Sequence, residues 1–288
     1  MASSADIALH YGLNEAQFFE SILGDSMCYT CADWHCTDSL DIAQRQKIDK
    51  LMSFMQVDQD TRSLVDLGCG WGGPLRHIAA EYAHINDLRG VTLCKEQAVY
   101  ARRHLVHTSS QIFHQDLIDY LEQQPDESID NAMMVGVIEH LVTPEDYRKG
   151  RHVTRYRFIL ESIRRVVKGR FALQTIVAMR DPNSLKGRER ARALQFQRYI
   201  SKYVFPNSLT PRDEFIRQAA QGLYEIERFE VRSEEYRQTI QCWRDNLEGI
   251  KERISMERYE LFSTYFDYCI EHFGTGYLGL ARYALKPR

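Results

Sequence analysis

Leu64-Val65-Asp66-Leu67-Gly68-Cys69-Gly70-Trp71-Gly72-Gly73 is the stretch that decides the fold. An apolar run with an acid inside it meets glycines at alternate positions. After them Pro74 opens a segment whose apolar residues, Leu75, Ile78, Ala79 and Tyr82, recur at helical spacing. The pattern predicts a strand, a tight glycine turn and a helix, the opening of a ligand site at the edge of a parallel sheet. Glycines allow the sharp turn and leave room for a ligand against the main chain. Asp66, just before the turn, can accept a hydrogen bond from an amino group or a hydroxyl.

Two ligand classes compete for such a turn. A dinucleotide calls for G-x-G-x-x-G and a chain start close to the first strand. Here the glycines are 68, 70, 72 and 73, and about sixty residues precede them. The D-x-G-x-G-x-G arrangement suits S-adenosylmethionine, which has no pyrophosphate to seat on the helix.

Outward from this stretch, strands and helices alternate. Strands are expected at 89–93, 112–114, 129–137 and 170–179, with helices over 74–83, 95–107, 117–123 and 144–167. That alternation implies an α/β fold with a doubly wound, mostly parallel sheet. Before it, residues 1–24 carry two helical patterns, anchored by Ile7, Leu9 and Tyr11 and then by Phe18, Phe19, Ile22 and Leu23. A third helix is expected from about 40 to 55. Beyond Asn183 come a helix to Ile200 bearing Arg188, Arg190, Arg192 and Arg198, a short helix at 211–221 and a strand candidate at 224–231. Helices at about 234–252 and 255–273 then precede a last strand at 277–285. The economical organisation is one domain over 1–288: N-terminal helices and a closing loop in 1–60, a sheet core in 61–182, a helical cap in 183–273 and the final strand.

Composition narrows the function. The 288 residues are 44% hydrophobic with a net charge of −3, which argues against a nucleic-acid surface. No run is long and apolar enough to span a membrane. Met1-Ala2-Ser3-Ser4-Ala5-Asp6 lacks a basic start and an apolar core, so no secretory signal is expected. Seven cysteines, an odd number, read as reduced thiols in a cytoplasmic protein. Cys28, Cys31 and Cys36 cluster beside His35, but no second ligand pair follows at suitable spacing, and no metal is expected.

Several stretches, in order along nearly the whole chain, resemble the cyclopropane-fatty-acid synthase-like family of S-adenosylmethionine-dependent methyltransferases, which have a Rossmann-like fold. They are His10-Tyr11-Gly12-Leu13 with Phe18-Phe19, Met27-Cys28-Tyr29-Thr30-Cys31-Ala32, Asp66 to Gly72, and Gly90-Val91-Thr92-Leu93 with Gln97. Val137-Ile138-Glu139-His140, Lys202 to Pro206 and Tyr236-x-x-Thr239-Ile240-x-x-Trp243 complete the set. The resemblance implies that Asp66, Gly68 and Gly70 face the methionine and ribose of the cofactor. Thr92, Leu93 and Gln97 would hold the ribose edge, and Gln115 and Asp116 would approach the adenine. Tyr29 and Thr30 would close over the methionine end, with Val135 and Gly136 below the sulfonium.

In that family a bicarbonate acts as base in cyclopropanation, and the carry-over gives Cys31, Glu139, Ile176 and Tyr268 around it. One position departs: where the family's strand reads His-Thr-Ile, this chain has Gln174-Thr175-Ile176. Glutamine takes no proton at neutral pH and binds an anion less well than histidine does. The expected activity is methyl transfer to a hydrophobic small molecule at carbon, with Glu139 or His140 as base, Cys31 and Tyr268 beside them, and Tyr29, Trp34, Tyr199, Phe205 and Tyr268 as cation-stabilising rings. Cyclopropanation of an acyl chain, amine N-methylation and a cofactor-binding role without transfer stay open.

Overall fold

The central strand β1 (Ser63–Leu67) is buried along its whole length, as an apolar run between two parallel neighbours must be. The computed structural model describes residues 16–181 and 184–288. The first helical pattern, with Ile7, Leu9 and Tyr11, the 10–13 motif, and residues 182 and 183 lie outside them. Beside β1 run β2 (Asp87–Thr92) and β3 (Ser110–His114) on one side, and β4 (Asn131–Val135) and β5 (Phe171–Ala178) on the other. All four pairings are parallel. β6 (Tyr224–Val231) and β7 (Leu278–Pro287) complete a seven-stranded sheet in the order β3-β2-β1-β4-β5-β7-β6. β7 runs antiparallel to both its neighbours. The strand order reverses between β1 and β4, which opens a crevice beyond their C-terminal ends.

The helices, in chain order, are α1 (Ala16–Leu23), α2 (Leu40–Phe54), α3 (Gly73–Glu81), α4 (Lys95–His104), α5 (Leu117–Glu122), α6 (Pro144–Arg148) and α7 (His152–Val166). After β5 come α8 (Gly187–Tyr199), α9 (Asp213–Ala220), α10 (Ser233–Gly249) and α11 (Met256–Gly274). One sheet face is covered by α2, α3 and α4 through Ile48, Leu51, Leu75, Ile78 and Ala98. The other is covered by α5, α7 and α9 through Leu121, Tyr156, Leu160, Ile163 and Ile216. The fold is thus α/β and doubly wound, as the alternation of elements implies. A third apolar cluster joins α1, α8, α10 and α11 through Phe18, Phe19, Phe196, Trp243, Phe266 and Phe273.

Local chemistry moves some boundaries. The helix expected over 144–167 is two. Thr143 and Asp146 form a capping box that starts α6, and Gly150, at φ +68°, stops the chain before α7. The helix expected to end at Ile200 passes instead into a π-helical turn, Ile200–Val204, closed by the Phe205 N–H on the Ile200 carbonyl at 2.8 Å. Between β5 and β7, α9 packs beside α7 and β6 pairs along β7, so this stretch contributes to the sheet body as well as to the α8, α10 and α11 cluster.

Candidate active site

The glycine turn after β1 builds the first cavity. Gly68, Gly70 and Gly72 all have positive φ, at +109°, +52° and +80°. The N–H groups of Gly68 and Cys69 both donate to the Val91 carbonyl at 2.9 Å, which ties the turn to β2. A Cβ on Gly68 would lie 2.1 Å from Cγ2 of Val137. Gly68→Ala should therefore cost about 1–3 kcal/mol through overpacking and abolish tight cofactor binding. Urea unfolding and calorimetric titration with S-adenosylhomocysteine measure the two effects.

The resulting cleft encloses about 160 Å³. Every residue assigned to the cofactor from sequence lies on its wall: Tyr29, Thr30, Asp66, Gly68, Gly70, Thr92, Leu93, Gln97, Gln115, Asp116, Val135 and Gly136. Two buried polar atoms there lack a protein partner, Oδ1 of Asp66 and Nε2 of Gln115, an acceptor and a donor. The Thr92 hydroxyl donates to Oε1 of Gln97 at 2.8 Å, which fixes that amide. Asp116 has a second task, since its Oδ1 accepts from the Ile118 N–H at 2.7 Å and caps α5. A cradle with an unsatisfied carboxylate, an unsatisfied amide N–H and side-chain-free turns fits the hydroxyls, amines and adenine of S-adenosylmethionine.

Burial pushes the Asp66 carboxyl up to about 7, opposed by the charge of Lys47. A ligand whose donors hydrogen-bond the ionised form must expel the proton when the pH lies below that value. S-adenosylhomocysteine affinity should therefore be flat above about pH 7 and fall by up to about tenfold per pH unit below it. Asp66→Asn should remove this slope, as calorimetry across the range would reveal.

A second, larger cavity of about 450 Å³ adjoins the first, and Tyr29, Thr30, Gly136 and His140 line both. Its walls come from β5 (Gln174, Ile176), from α8 and the π turn (Leu194, Phe196, Ile200), and from Phe205, Phe215, Tyr236, Tyr265 and Tyr277. Glu139 and His140 sit on the 3-10 turn Ile138–His140 that follows β4. Glu139 is 7% exposed. Its Oε1 accepts from the Ile176 N–H at 2.7 Å, and its Oε2 has no hydrogen-bond partner. Burial raises its carboxyl above the usual range, against the lowering pull of backbone N–H groups and of the Thr175 hydroxyl. His140 stays neutral at ordinary pH because burial pulls its imidazole down to about 4, and its Nδ1 lies 2.7 Å from the Ser208 hydroxyl.

Two of the four catalytic candidates do not reach either cavity wall. Cys31 is fully buried, donates its Sγ–H to the Ala32 carbonyl at 3.1 Å, and has its thiol pushed up to about 12 by burial. Tyr268 packs against Phe196 and Tyr199 at ring distances of 6.2 and 5.3 Å, and Tyr236 on α10 lines the cavity instead. Of the rings assigned to cation stabilisation, Tyr29 and Phe205 line the cavity. Trp34 donates to Thr239 and the Glu235 carbonyl, and Tyr199 donates to the Leu261 carbonyl. Of the residues carried over for bicarbonate, Glu139 and Ile176 line the acceptor cavity and bond each other, whereas Cys31 and Tyr268 line neither cavity, so the set does not fit that ion.

The model of the mycolic acid cyclopropane synthetase family matches residues 1–283. The chain belongs to this family. It is 26% identical over 266 residues to the S-adenosylmethionine-dependent methyltransferase UmaA of Mycobacterium tuberculosis, covering 89% of this chain and 88% of that one. It is 27% identical over 259 residues to the cyclopropane-fatty-acyl-phospholipid synthase of Escherichia coli, covering 90% of this chain and 60% of that longer protein. The structure of mycolic acid cyclopropane synthase CmaA1 complexed with SAH and CTAB superposes with a TM-score of 0.83 at 23% identity, over 98% of both chains. This member of the cyclopropane synthetase family is an S-adenosylmethionine-dependent methyltransferase, with the Rossmann-like fold of its class. Among the described residues no helix is long and apolar enough to cross a membrane.

Sequence reading missed the supports of the loop that divides the two cavities. Gln44 and Lys47 of α2 are fully buried. Gln44 donates to the carbonyls of Cys28 and Thr30, at 3.3 and 2.8 Å, and Lys47 donates to the Thr30 hydroxyl at 3.3 Å. Polar residues on the buried side of a helix whose other anchors are Ile48, Leu51 and Met52 were the available signal. On the far side Thr239 accepts from the Ala32 N–H at 3.1 Å.

Proposed function

We propose that this methyltransferase acts at a carbon of an unsaturated, hydrophobic small molecule, and that Glu139 and His140 manage the proton. The observation that carries the reading is the aromatic-walled cavity that meets the cofactor cleft at Tyr29, Thr30, Gly136 and His140, with the unpartnered Oε2 of Glu139 on its wall. S-adenosylmethionine, when bound, supplies an electrophilic methyl group and leaves as a neutral thioether. The chain's own residues hold the acceptor in line and exclude water. Methyl addition to an alkene leaves a cationic carbon, which ring faces such as those of Tyr29, Phe205 and Tyr236 stabilise. A carboxylate then takes the proton, and which C–H bond breaks decides between a methylated alkene and a cyclopropane. Seven free thiols, most of them buried, support a reducing, cytoplasmic setting.

The test is S-adenosylhomocysteine release with a panel of unsaturated acyl chains, prenyl compounds, polyketide-like acids and amines. Turnover restricted to alkenes, with the added CH₂ located on carbon by NMR, supports the reading. Turnover on amines alone, with the methyl on nitrogen, refutes it.

A further inference from the structure

Gln174 lies on the acceptor cavity wall and is 1% exposed, yet its amide is already engaged. Oε1 accepts from Nε of Arg282 at 2.7 Å, and Nε2 points to the Cys31 carbonyl at 3.5 Å. Arg282 stands opposite residue 174 in the antiparallel ladder of β5 and β7 and is fully buried. Its other donors reach Oδ2 of Asp33 at 2.6 Å, Oε1 of Glu230 at 3.1 Å and the Ala32 carbonyl at 3.3 Å. Arg232, alongside, pairs with Glu230 and Glu235. Two guanidinium groups thus face three carboxylates, so the charge of Arg282 is taken up within this network.

We infer that the Arg282–Gln174 pair closes the position a bicarbonate ion would need, and that this enzyme works without bicarbonate, Glu139 itself taking the proton. The groups that would hold the ion are engaged elsewhere: the Ile176 N–H donates to Glu139, the Cys31 thiol donates to the Ala32 carbonyl, and the Gln174 amide accepts from Arg282 through Oε1 while its Nε2 turns toward the Cys31 carbonyl. Glu139 makes no ion pair among the described residues, so nothing bonded to it offsets the repulsion that its ionised carboxylate exerts on a second anion beside it. Arg282 offers it no relief, because its charge is spent on Asp33 and Glu230.

The proton step rests on the alkene reading above. A C–H bond of the newly added methyl breaks and its electron pair closes the ring on the cationic carbon, or a C–H bond on a carbon next to the cationic one breaks and its pair forms the new double bond. In either case the proton passes to Oε2 of Glu139. The binding claim stands without that reading.

Isotopically labelled bicarbonate, followed by carbon NMR against the S-adenosylhomocysteine-loaded protein, tests the binding claim directly. No broadening or shift is expected for the wild type, and saturable binding overturns the inference. Gln174→His leaves Arg282 with Asp33 and Glu230 and should gain bicarbonate binding. A properly folded variant that gains none refutes the assignment of the closure to this pair. For any alkene that turns over, the rate in carbonate-free buffer should stay within about twofold of that with added bicarbonate, whereas a larger stimulation refutes the proton step. Should no alkene release S-adenosylhomocysteine, the acceptor reading fails while the NMR result still decides on bicarbonate.

Discussion

Glu139→Gln should lower kcat by about 10²–10⁴-fold, the usual contribution of a positioned general base, while S-adenosylhomocysteine affinity stays close to that of the wild type. The amide keeps the shape of the carboxylate and can still accept from the Ile176 N–H, so the 3-10 turn and β5 remain joined. What it loses is the capacity to take a proton at Oε2. Affinity is spared because Glu139 lines the acceptor cavity and not the cofactor cleft. The pH profile carries a second signature. A base acts only when ionised, so wild-type kcat should rise with pH through the raised carboxyl pKa of Glu139 and then level off. His140, already neutral from about pH 5 upward because its imidazole titrates near 4, adds no inflection in that window. Single-turnover rates for wild type and variant across pH measure both features. A variant with a wild-type rate would remove Glu139 from the proton step.

Arg282→Met should destabilise the protein by about 3 kcal/mol, at the low end of the range for breaking a buried ion pair. Asp33 and Glu230 keep some contact with water, at 13% and 19% side-chain exposure, which tempers the loss. The damage should extend to function, since Arg282 holds Asp33 and the Ala32 carbonyl, and the same loop carries Tyr29 and Thr30 between the cavities. S-adenosylhomocysteine should therefore bind about tenfold more weakly, a change of about 1.4 kcal/mol. Arg282→Lys should rescue little, because a single ammonium cannot serve Gln174, Asp33, Glu230 and Ala32 together. Adding Asp33→Asn to the methionine variant should recover part of the stability by removing an orphaned charge. Urea unfolding of the single and double variants gives the coupling energy.

The sequence by itself determined the sheet and the cofactor cleft. An apolar strand, a glycine turn and an apolar-periodic helix are local patterns, and ligand sites in open α/β sheets fall at the ends of successive strands. Residues 66–70, 92–97, 115–116 and 135–136 each lie at or just beyond the C-terminal end of a strand, so reading the strands brings them to one crevice without any long-range contact having to be guessed. Even so, the break at Gly150 escaped notice because one αL residue inside an otherwise helical pattern leaves the apolar spacing intact.

Only the tertiary structure decided the acceptor side. Its walls join β5 to residues 194–215 and then to Tyr236, Tyr265 and Tyr277, segments whose meeting depends on how the helices after β5 pack. Tyr236 and Tyr268 are both aromatic residues on helices, and nothing in local spacing says which turns inward. Gln174 meets Arg282, and Asp33 meets Arg282, across more than a hundred residues of chain. Such partners are chosen by strand register and burial: a buried charge must find a counter-charge or a hydrogen bond, but which one it finds is settled by the fold that buries it.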